Sequence, residues 1–305
     1  MVEDISTGSV FRLYGSRTER KRVFENEIKI IRRLAPHHHV IRVFATYVSK
    51  REVGLILSPV AQGDLEILLQ DVYDADAPTP DQRHTLDISF GCLATGLAFM
   101  HRQKVRHKDI KPRNILVHNG SMIFTDFGYS LDHALNDNST TTGRPDTFTR
   151  RYCAPEVDDW GPRNSKSDVF SLGCVFSQVL EALRFQQPKV SPSTCFHEII
   201  EEIQSDLIEL NTQDLYWNVA GTTASMLSRK PRDRFSADYV VAWLRKNSGG
   251  LFCQTCKNSS ESYYFDGPSS APEDLATLEE DILAIWDFHD LRRYLIKRAN
   301  APLYA

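Results

Sequence analysis

The sequence lacks the features that would place it in a membrane or on a nucleic acid. No apolar run approaches the roughly 18 residues that a membrane-spanning helix needs, and the first ten residues lack the charged-then-apolar pattern of a secretory signal peptide. Basic residues are not in excess, because 36 lysines and arginines stand against 40 acidic residues, for a net charge of −4. We therefore expect an intracellular protein, cytoplasmic or nuclear, that binds no membrane and no nucleic acid.

Cysteine is also sparse, with six residues in 305. Four stand singly, as reduced thiols of an intracellular protein do: Cys92, Cys153, Cys174 and Cys195. Cys253 and Cys256 form a CxxC pair, but a zinc site needs a second pair of ligands, and none stands nearby in the sequence. The three adjacent histidines 37–39 cannot all face one ion and indicate a loop before a strand. These patterns favour free thiols over a zinc site.

The composition is that of an ordinary globular protein, with 41% hydrophobic and 25% charged residues. Apolar spacing and turn signals predict a helix, two strands, a long helix and a hairpin, over 22–34, 40–47, 52–57, 86–102, and 114–118 with 121–125. After a polar loop, four more helices are predicted, over 168–183, 196–210, 214–228 and 236–245. Strands followed mostly by helices favour an α+β fold in two lobes.

Three short motifs follow one another in the middle of the chain. The segment HKDIKPRN occupies 107–114, Asp126-Phe127-Gly128 begins twelve residues after Asn114, and Ala154-Pro155-Glu156 comes later. Each motif alone is weak evidence, but all three in this order resemble the catalytic loop, the metal-binding segment and the peptide-docking segment of eukaryotic protein kinases. The expected fold is then a two-lobed protein-kinase-like fold with a reduced β-rich N-lobe and a helical C-lobe.

The resemblance implies ATP and Mg²⁺ as cofactors, with Asp109, Lys111 and Asn114 as catalytic residues. Asp109 would accept or orient the proton of the substrate hydroxyl, and Lys111 would place positive charge at the transferring phosphoryl group. Asn114 and Asp126 would be the metal ligands, because Mg²⁺ prefers oxygen donors. Lys111, two residues after the catalytic aspartate, and Thr149, five before Ala154, resemble the serine/threonine type, so a protein substrate is implied.

The same resemblance places the nucleotide site between the lobes. Residues 58–61 would form the hinge, with Ser58 and Val60 binding the adenine, since the neighbouring proline has no N–H. Glu27 would be the glutamate on the helix that pairs with the strand lysine of the family. Arg12, or Leu13 in a shifted register, stands where that lysine is expected, and a guanidinium is not equivalent to an ammonium group.

The start of the sequence departs from the family pattern. Two strands and a turn need about 12 to 14 residues, but only 11 precede Arg12, and the glycine-rich loop over the phosphates is missing. The N-lobe is therefore predicted to be truncated. This leaves two hypotheses open: a serine/threonine kinase, and a pseudokinase that uses the fold for binding or as a scaffold.

A third hypothesis is a small-molecule kinase of the aminoglycoside-phosphotransferase kind, which shares the fold. The peptide-docking segment and Arg234, which resembles the partner of Glu156, argue against it. Asp168 resembles the aspartate that holds the catalytic-loop backbone.

The resemblance covers about residues 20–245, and segments such as RHKDIKPRNILV and RYCAPEV are similar to filamentous-fungal kinase-like proteins. It predicts a kinase-like domain over 1–247, with an N-lobe remnant over 1–57 and a C-lobe over 62–247. Residues 248–305 are predicted to be a C-terminal extension, with a serine- and proline-rich linker and an amphipathic helix.

Overall fold

The structure is a computed structural model that describes most of the chain up to residue 258. The described residues are 2–4, 9–11, 17–48, 53–75, 77–133, 140–142, 149–184, 188, 190–209 and 214–258. The predicted linker beyond 258 and the predicted final helix lie outside them. None of the helices within these ranges is long and apolar enough to cross a membrane.

The N-terminal part is small and contains two antiparallel strand pairs and one helix. Its elements are β1 (Val2–Asp4), β2 (Ser9–Phe11), α1 (Arg17–Leu34), β3 (Arg42–Val48) and β4 (Val53–Ser58). Strand β1 pairs with β2, and β3 pairs with β4. The helix and both later strands were predicted, although α1 begins five residues before the predicted start.

The C-terminal part is mostly helical. Its helices are α2 (Leu65–Asp74), α3 (Pro80–Arg102), α4 (Pro155–Asp158), α5 (Lys166–Leu183), α6 (Ile200–Ile208), α7 (Trp217–Met226), α8 (Ala237–Asn247) and α9 (Gln254–Asn258). Its short strands are β5 (Gly63–Asp64), β6 (Val105–Arg106), β7 (Ile115–His118), β8 (Ser121–Phe124) and β9 (Leu131–Asp132). This is the predicted α+β fold with a small β-rich N-lobe and a helical C-lobe.

Helices α3 and α5 form the centre of the helical core. Both are buried on nearly all sides, and for α5 the almost continuous apolar sequence over 168–183 accounts for this burial. Helix α3 starts six residues before the predicted Leu86. Thr79 caps it by accepting the N–H of Gln82, whose side chain in turn accepts the N–H of Thr79, and Pro80 occupies the first turn, where it needs no hydrogen-bond partner.

The β7–β8 hairpin leads from the catalytic loop to the predicted metal-binding segment. Asn119 and Gly120 form its turn with φ angles of 48° and 71°, the left-handed pair that a two-residue hairpin needs. The amide of Ile41 donates to the carbonyl of Phe124 at 2.9 Å. The hairpin is therefore joined to the segment that leads from α1 into β3.

The segment after α8 continues to pack on the domain. Leu251, Phe252 and Cys256 are buried within the hydrophobic core, and the segment lies on α3 at Gly91. A Cβ atom on Gly91 would stand 2.5 Å from the ring of Phe252 and would also collide with the carbonyl of Leu251. Gly91 is therefore required for this close approach. The domain boundary at 247 stays a prediction.

Gly91→Ala is expected to lower the free energy of unfolding by about 1–3 kcal/mol, because the segment must move away from α3. Gly221→Ala is the matched control. Gly221 is an exposed residue of α7 with nothing within 4 Å of a built Cβ, so alanine should stabilise it by up to about 1 kcal/mol. Urea denaturation of both variants measures the two changes. If both variants changed the free energy of unfolding in the same direction, close packing at Gly91 would not be what requires glycine there.

Candidate active site

The backbone of the predicted catalytic loop, 107–114, is held by the buried carboxylate of Asp168 on α5. Asp168 accepts the backbone N–H of His107 and of Lys108, each at 2.9 Å, as the family resemblance implied. Lys108 adopts a left-handed backbone with φ 71°, which costs about 1–2 kcal/mol for a residue with a side chain. The two hydrogen bonds that these amides donate to Asp168 hold the loop in this conformation.

Asp168 remains a carboxylate although it is buried. Burial by itself would raise the pKa of this group, but the pKa lies below its usual value. A hydrogen bond from His101, with 3.1 Å between Nε2 and Oδ2, and the amide of Lys108 stabilise the charged form. No sequence motif pointed to His101, which lies in the last turn of α3, because its contact with α5 is set only by tertiary packing.

Asp109 lies in a compact hydrogen-bonded group with three other residues that the sequence analysis singled out. Its Oδ2 accepts Lys111 Nζ at 2.8 Å and Asn114 Nδ2 at 3.0 Å, and its Oδ1 accepts the hydroxyl of Thr149 at 2.7 Å. Lys111 Nζ also donates to the Thr149 oxygen at 2.7 Å. A carboxylate, a cation and a hydroxyl from two separate loops are thus brought to one place.

The charge of Asp109 is stabilised within this group. Burial would raise its pKa, but the Lys111 ammonium group and the Thr149 hydroxyl outweigh burial and lower the pKa below its usual value. His107 presents its Nδ1 to the amide of Asp109 at 3.4 Å and its Nε2 to the carbonyl of Thr125 at 3.0 Å. Burial lowers the pKa of His107. The imidazole is therefore neutral, with its proton on Nε2, and links the amide of Asp109 to the carbonyl of Thr125.

Asn114 and Asp126 have the donor chemistry of a magnesium site. Asn114 Nδ2 donates to the carbonyl of Asp109 at 2.8 Å as well as to its carboxylate, which orients the amide and leaves Oδ1 as its acceptor atom. Asp126 follows β8 by two residues, is buried, and has a left-handed backbone with φ 69°. Its neighbour Phe127 is fully buried with its ring 4.9 Å from that of His107. A carboxylate and an amide oxygen fit the preference of Mg²⁺.

Helix α1 is tied to the chain that follows Asp126. Asn26 Nδ2 donates to the carbonyls of Gly128 and Ser130, at 3.2 and 3.0 Å. Arg33 lies 2.7 Å from the carboxylate of Asp132. Glu27 is on the same helix, half-buried, next to Asn26, whereas Arg12 lies outside the described residues. Sequence reasoning missed Asn26, since an asparagine within a helix carries no motif.

The predicted hinge connects β4 to β5. Ser58 ends β4, paired with Arg42 across the sheet. Val60 has a side chain that is 73% exposed, and its carbonyl accepts His118 Nδ1 at 2.8 Å. The backbone of the hinge is thereby anchored to the β7–β8 hairpin. The adenine-binding roles of Ser58 and Val60 stay predictions.

Glu156 and Arg234 form the expected buried ion pair. The two guanidinium NH₂ groups donate to the two carboxylate oxygens at 2.7 and 2.8 Å, and the Arg234 side chain is fully buried. The guanidinium also donates to three backbone carbonyls, those of Lys166, Ser228 and Arg229. The pair ties the peptide-docking segment to the helical core.

Comparison with known families agrees with this geometry. The protein kinase domain family matches residues 10–243, which is more than half of the chain. The chain therefore belongs to the protein kinase family.

Its curated relatives include serine/threonine kinases. Serine/threonine-protein kinase nekl-2 of Caenorhabditis elegans is 26% identical over 177 residues, which cover 56% of this chain and 48% of nekl-2. An Aurora kinase of Yarrowia lipolytica is 31% identical over 176 residues, 56% of this chain and 43% of its own length. A calcium/calmodulin-dependent protein kinase type 1 of Caenorhabditis briggsae is 31% identical over 157 residues, 50% of this chain and 40% of its own length. The matches cover less than half the length of each of these relatives.

These relatives favour the kinase hypothesis over the pseudokinase alternative. The likeness to filamentous-fungal proteins stays a prediction. The truncated N-lobe also stays a prediction, and Arg12 lies outside the described residues.

Proposed function

We propose that this chain transfers the γ-phosphoryl group of ATP to serine or threonine hydroxyls of a protein substrate. The observation that carries the proposal is the group formed by Asp109, Lys111, Thr149 and Asn114. Hydrogen bonds of 2.7–3.0 Å join Asp109 to each of the other three, and Lys111 also donates to Thr149. Phosphoryl transfer depends mainly on positioning and on neutralising charge, and this group supplies both. An intracellular location and the absence of a nucleic-acid partner remain part of the prediction.

Asp109 is the residue that orients the acceptor hydroxyl and takes its proton. Its low pKa keeps it ionised at neutral pH, as an acceptor of that proton must be. Lys111 is the cation that faces the transferring phosphoryl group. Thr149 lines the place of the acceptor side chain and links the catalytic loop to the peptide-docking segment.

Asn114 and Asp126 would hold magnesium. When bound, the ion neutralises charge on the phosphates of ATP. The orientation of the Asn114 amide, fixed by two hydrogen bonds to Asp109, presents its oxygen as a ligand. Ser58 and Val60 would bind the adenine, and Glu27 would contribute to the phosphate side of the site together with Arg12.

Asp126→Ala is expected to abolish the magnesium-dependent rise in melting temperature that ATP produces. A ligand that binds only the native state stabilises it by mass action, and the variant lacks the carboxylate that holds the ion. Thermal unfolding with ATP, with and without Mg²⁺, measures the effect. Asp71→Ala removes a carboxylate from the exposed face of α2 and should retain the full shift. Equal shifts in wild type and Asp126→Ala would contradict the assignment of Asp126.

Transfer is measured separately, with peptide libraries in which serine, threonine or tyrosine is the sole acceptor. Phosphoserine or phosphothreonine as the main product supports the proposal. Binding of Mg²⁺ and ATP without transfer to any library would identify a pseudokinase instead.

A further inference from the structure

Two histidines and two cysteines meet outside the candidate active site. They are His38 and His39, in the turn between α1 and β3, and Cys253 and Cys256, in the segment after α8. Each offers one ligand atom, and the four atoms lie within 4.8 Å of one another. His39 and Cys256 are fully buried. We call this group the histidine–cysteine cluster.

The distances within the cluster match the edges of a metal-centred tetrahedron. With Zn–S of about 2.3 Å and Zn–N of about 2.0–2.1 Å, tetrahedral geometry places S and N about 3.6 Å apart. The Nε2 atoms of His38 and His39 are both 3.6 Å from Cys253 Sγ. They are 3.3 and 3.2 Å from Cys256 Sγ. All four sulfur–nitrogen separations are thus close to the expected edge.

We propose that His38, His39, Cys253 and Cys256 bind one structural Zn²⁺ ion. Two thiolates and two imidazoles are a donor set that zinc takes in structural sites, and four protein ligands leave no open position for a substrate. The ion would therefore have a structural role and take no part in phosphoryl transfer.

The surroundings of His39 orient it as a ligand. Its Nδ1 lies 2.7 Å from the carbonyl oxygen of Met122, and a carbonyl only accepts, so Nδ1 carries the proton. The unprotonated Nε2 therefore points at the two sulfurs. A second hydrogen bond of this kind is the usual way in which a metal-binding histidine is fixed.

Backbone amides support the sulfurs in the same way. The N–H of Cys256 donates to Cys253 Sγ at 3.4 Å, and the N–H of Cys253 donates to the sulfur of Cys92 at 3.3 Å. Cys92 is buried on α3, next to Gly91, where the segment packs closely. The CxxC turn is therefore held in position by α3 as well as by its own backbone.

Hydrogen bonds alone do not account for the cluster. It contains four short sulfur–nitrogen separations. At most three hydrogens can lie along them, two on the thiols and one on His38 Nε2, because Nε2 of His39 is unprotonated. A divalent cation at the centre accounts for all four with both thiols deprotonated. His37 does not belong to the cluster, since it accepts the N–H of His39 through Nδ1 and stacks on Phe99.

The sequence analysis found no second ligand pair near the CxxC pair, and the structure places two histidines beside it. The second pair comes from 214 residues earlier in the chain, counted from His39 to Cys253. The loop reading of the three histidines was correct, yet two of them face the sulfurs from that loop. No local spacing could have revealed this, because tertiary packing alone brings the two segments together.

The proposed site ties together three parts of the domain: the end of α1, helix α3 and the C-terminal segment 249–258. The carbonyl of His39 also accepts the N–H of Phe124 at 2.8 Å, and Phe124 ends β8 two residues before Asp126. The ion would thus fix the strand that positions the candidate magnesium ligand.

A second group within the described residues is a weaker candidate. Cys195, His197 and Glu198 also lie within 4.8 Å of one another. However, Glu198 is exposed, and the two nitrogens of His197 already face Asp158 at 3.4 Å and Cys153 at 3.8 Å. Cys195 therefore provides a control variant.

The test is the metal content of the full chain, purified under reducing conditions with a histidine-free tag. We expect one zinc per chain by elemental mass spectrometry. A zinc chelator should lower the melting temperature by about 10 °C, because metal-binding free energy adds to folding free energy. Cobalt(II) substitution needs no variant: it should give the intense visible bands of a tetrahedral site and a near-ultraviolet thiolate-to-cobalt band.

Three variants locate the ion. Cys253→Ser/Cys256→Ser should contain less than 0.1 zinc per chain and show no response to the chelator. His38→Gln, at a half-buried position, should weaken zinc binding at least tenfold. Cys195→Ser should keep one zinc per chain.

Several results would overturn the proposal. Wild-type protein that contains no zinc and gives no cobalt spectrum would exclude the site. So would a Cys253–Cys256 disulfide in the reduced preparation, or zinc retained in the double serine variant. Loss of zinc in Cys195→Ser alone would assign the ion to the other group.

Discussion

Arg234→Ala is expected to lower the free energy of unfolding by about 3–5 kcal/mol, the usual cost of removing one partner of a buried ion pair. The variant leaves the carboxylate of Glu156, which is 10% exposed, with the hydroxyl of Ser167 but without its guanidinium, and three carbonyl groups lose a donor. For a domain of this size the loss corresponds to a fall in melting temperature of about 10 °C. Chemical denaturation and calorimetry measure both quantities.

Arg229→Ala is the matched control for this prediction. Arg229 also holds a carboxylate with two nitrogens, that of Glu201 at 2.9–3.1 Å, but both side chains are more than half exposed. An exposed pair of this kind contributes about 0–1 kcal/mol. Arg234→Lys keeps the charge but loses the planar fork of donors. Its loss of unfolding free energy should therefore lie between those of Arg229→Ala and Arg234→Ala. An equal loss of unfolding free energy in Arg229→Ala and Arg234→Ala would show that burial of the Arg234–Glu156 pair is unimportant.

Asp109→Asn is expected to lower the rate of phosphoryl transfer by about 10²- to 10⁴-fold, the range that a positioned acid–base group contributes. The amide has nearly the same shape as the carboxylate and can still bond with Thr149 and Lys111, so the fold should be retained. It cannot take up the proton of the acceptor hydroxyl. The affinity for ATP should stay nearly unchanged, because Asp109 acts on the acceptor.

Steady-state kinetics with a peptide from the serine/threonine library separate these effects. Asp71→Asn makes the same chemical change on the exposed face of α2 and should leave the rate unchanged. A rate for Asp109→Asn close to that of wild type would remove Asp109 from the proton-transfer role. A large increase in KM for ATP would point instead to a role in nucleotide binding.

Local patterns predicted most of the elements because local forces set them. Two short, mostly apolar runs with Asn119-Gly120 between them identified the hairpin, since few residue pairs tolerate two left-handed conformations. The start of α3 was predicted too late because the apolar pattern begins at Leu86. Its first turn depends on the cap at Thr79 and on Pro80, both of which are readable in the sequence.

The sequence by itself determined the order of the elements and which residues of the predicted catalytic loop stand together, because Asp109, Lys111 and Asn114 lie within six residues of one another. Only the tertiary structure decided which distant residues meet. Thr149 reaches Asp109 across 40 residues, Arg234 reaches Glu156 across 78, and Cys253 reaches His39 across 214. These contacts depend on how closely helices and loops approach, as Gly91 shows, and such close packing is a property of the whole core that no short stretch of sequence contains.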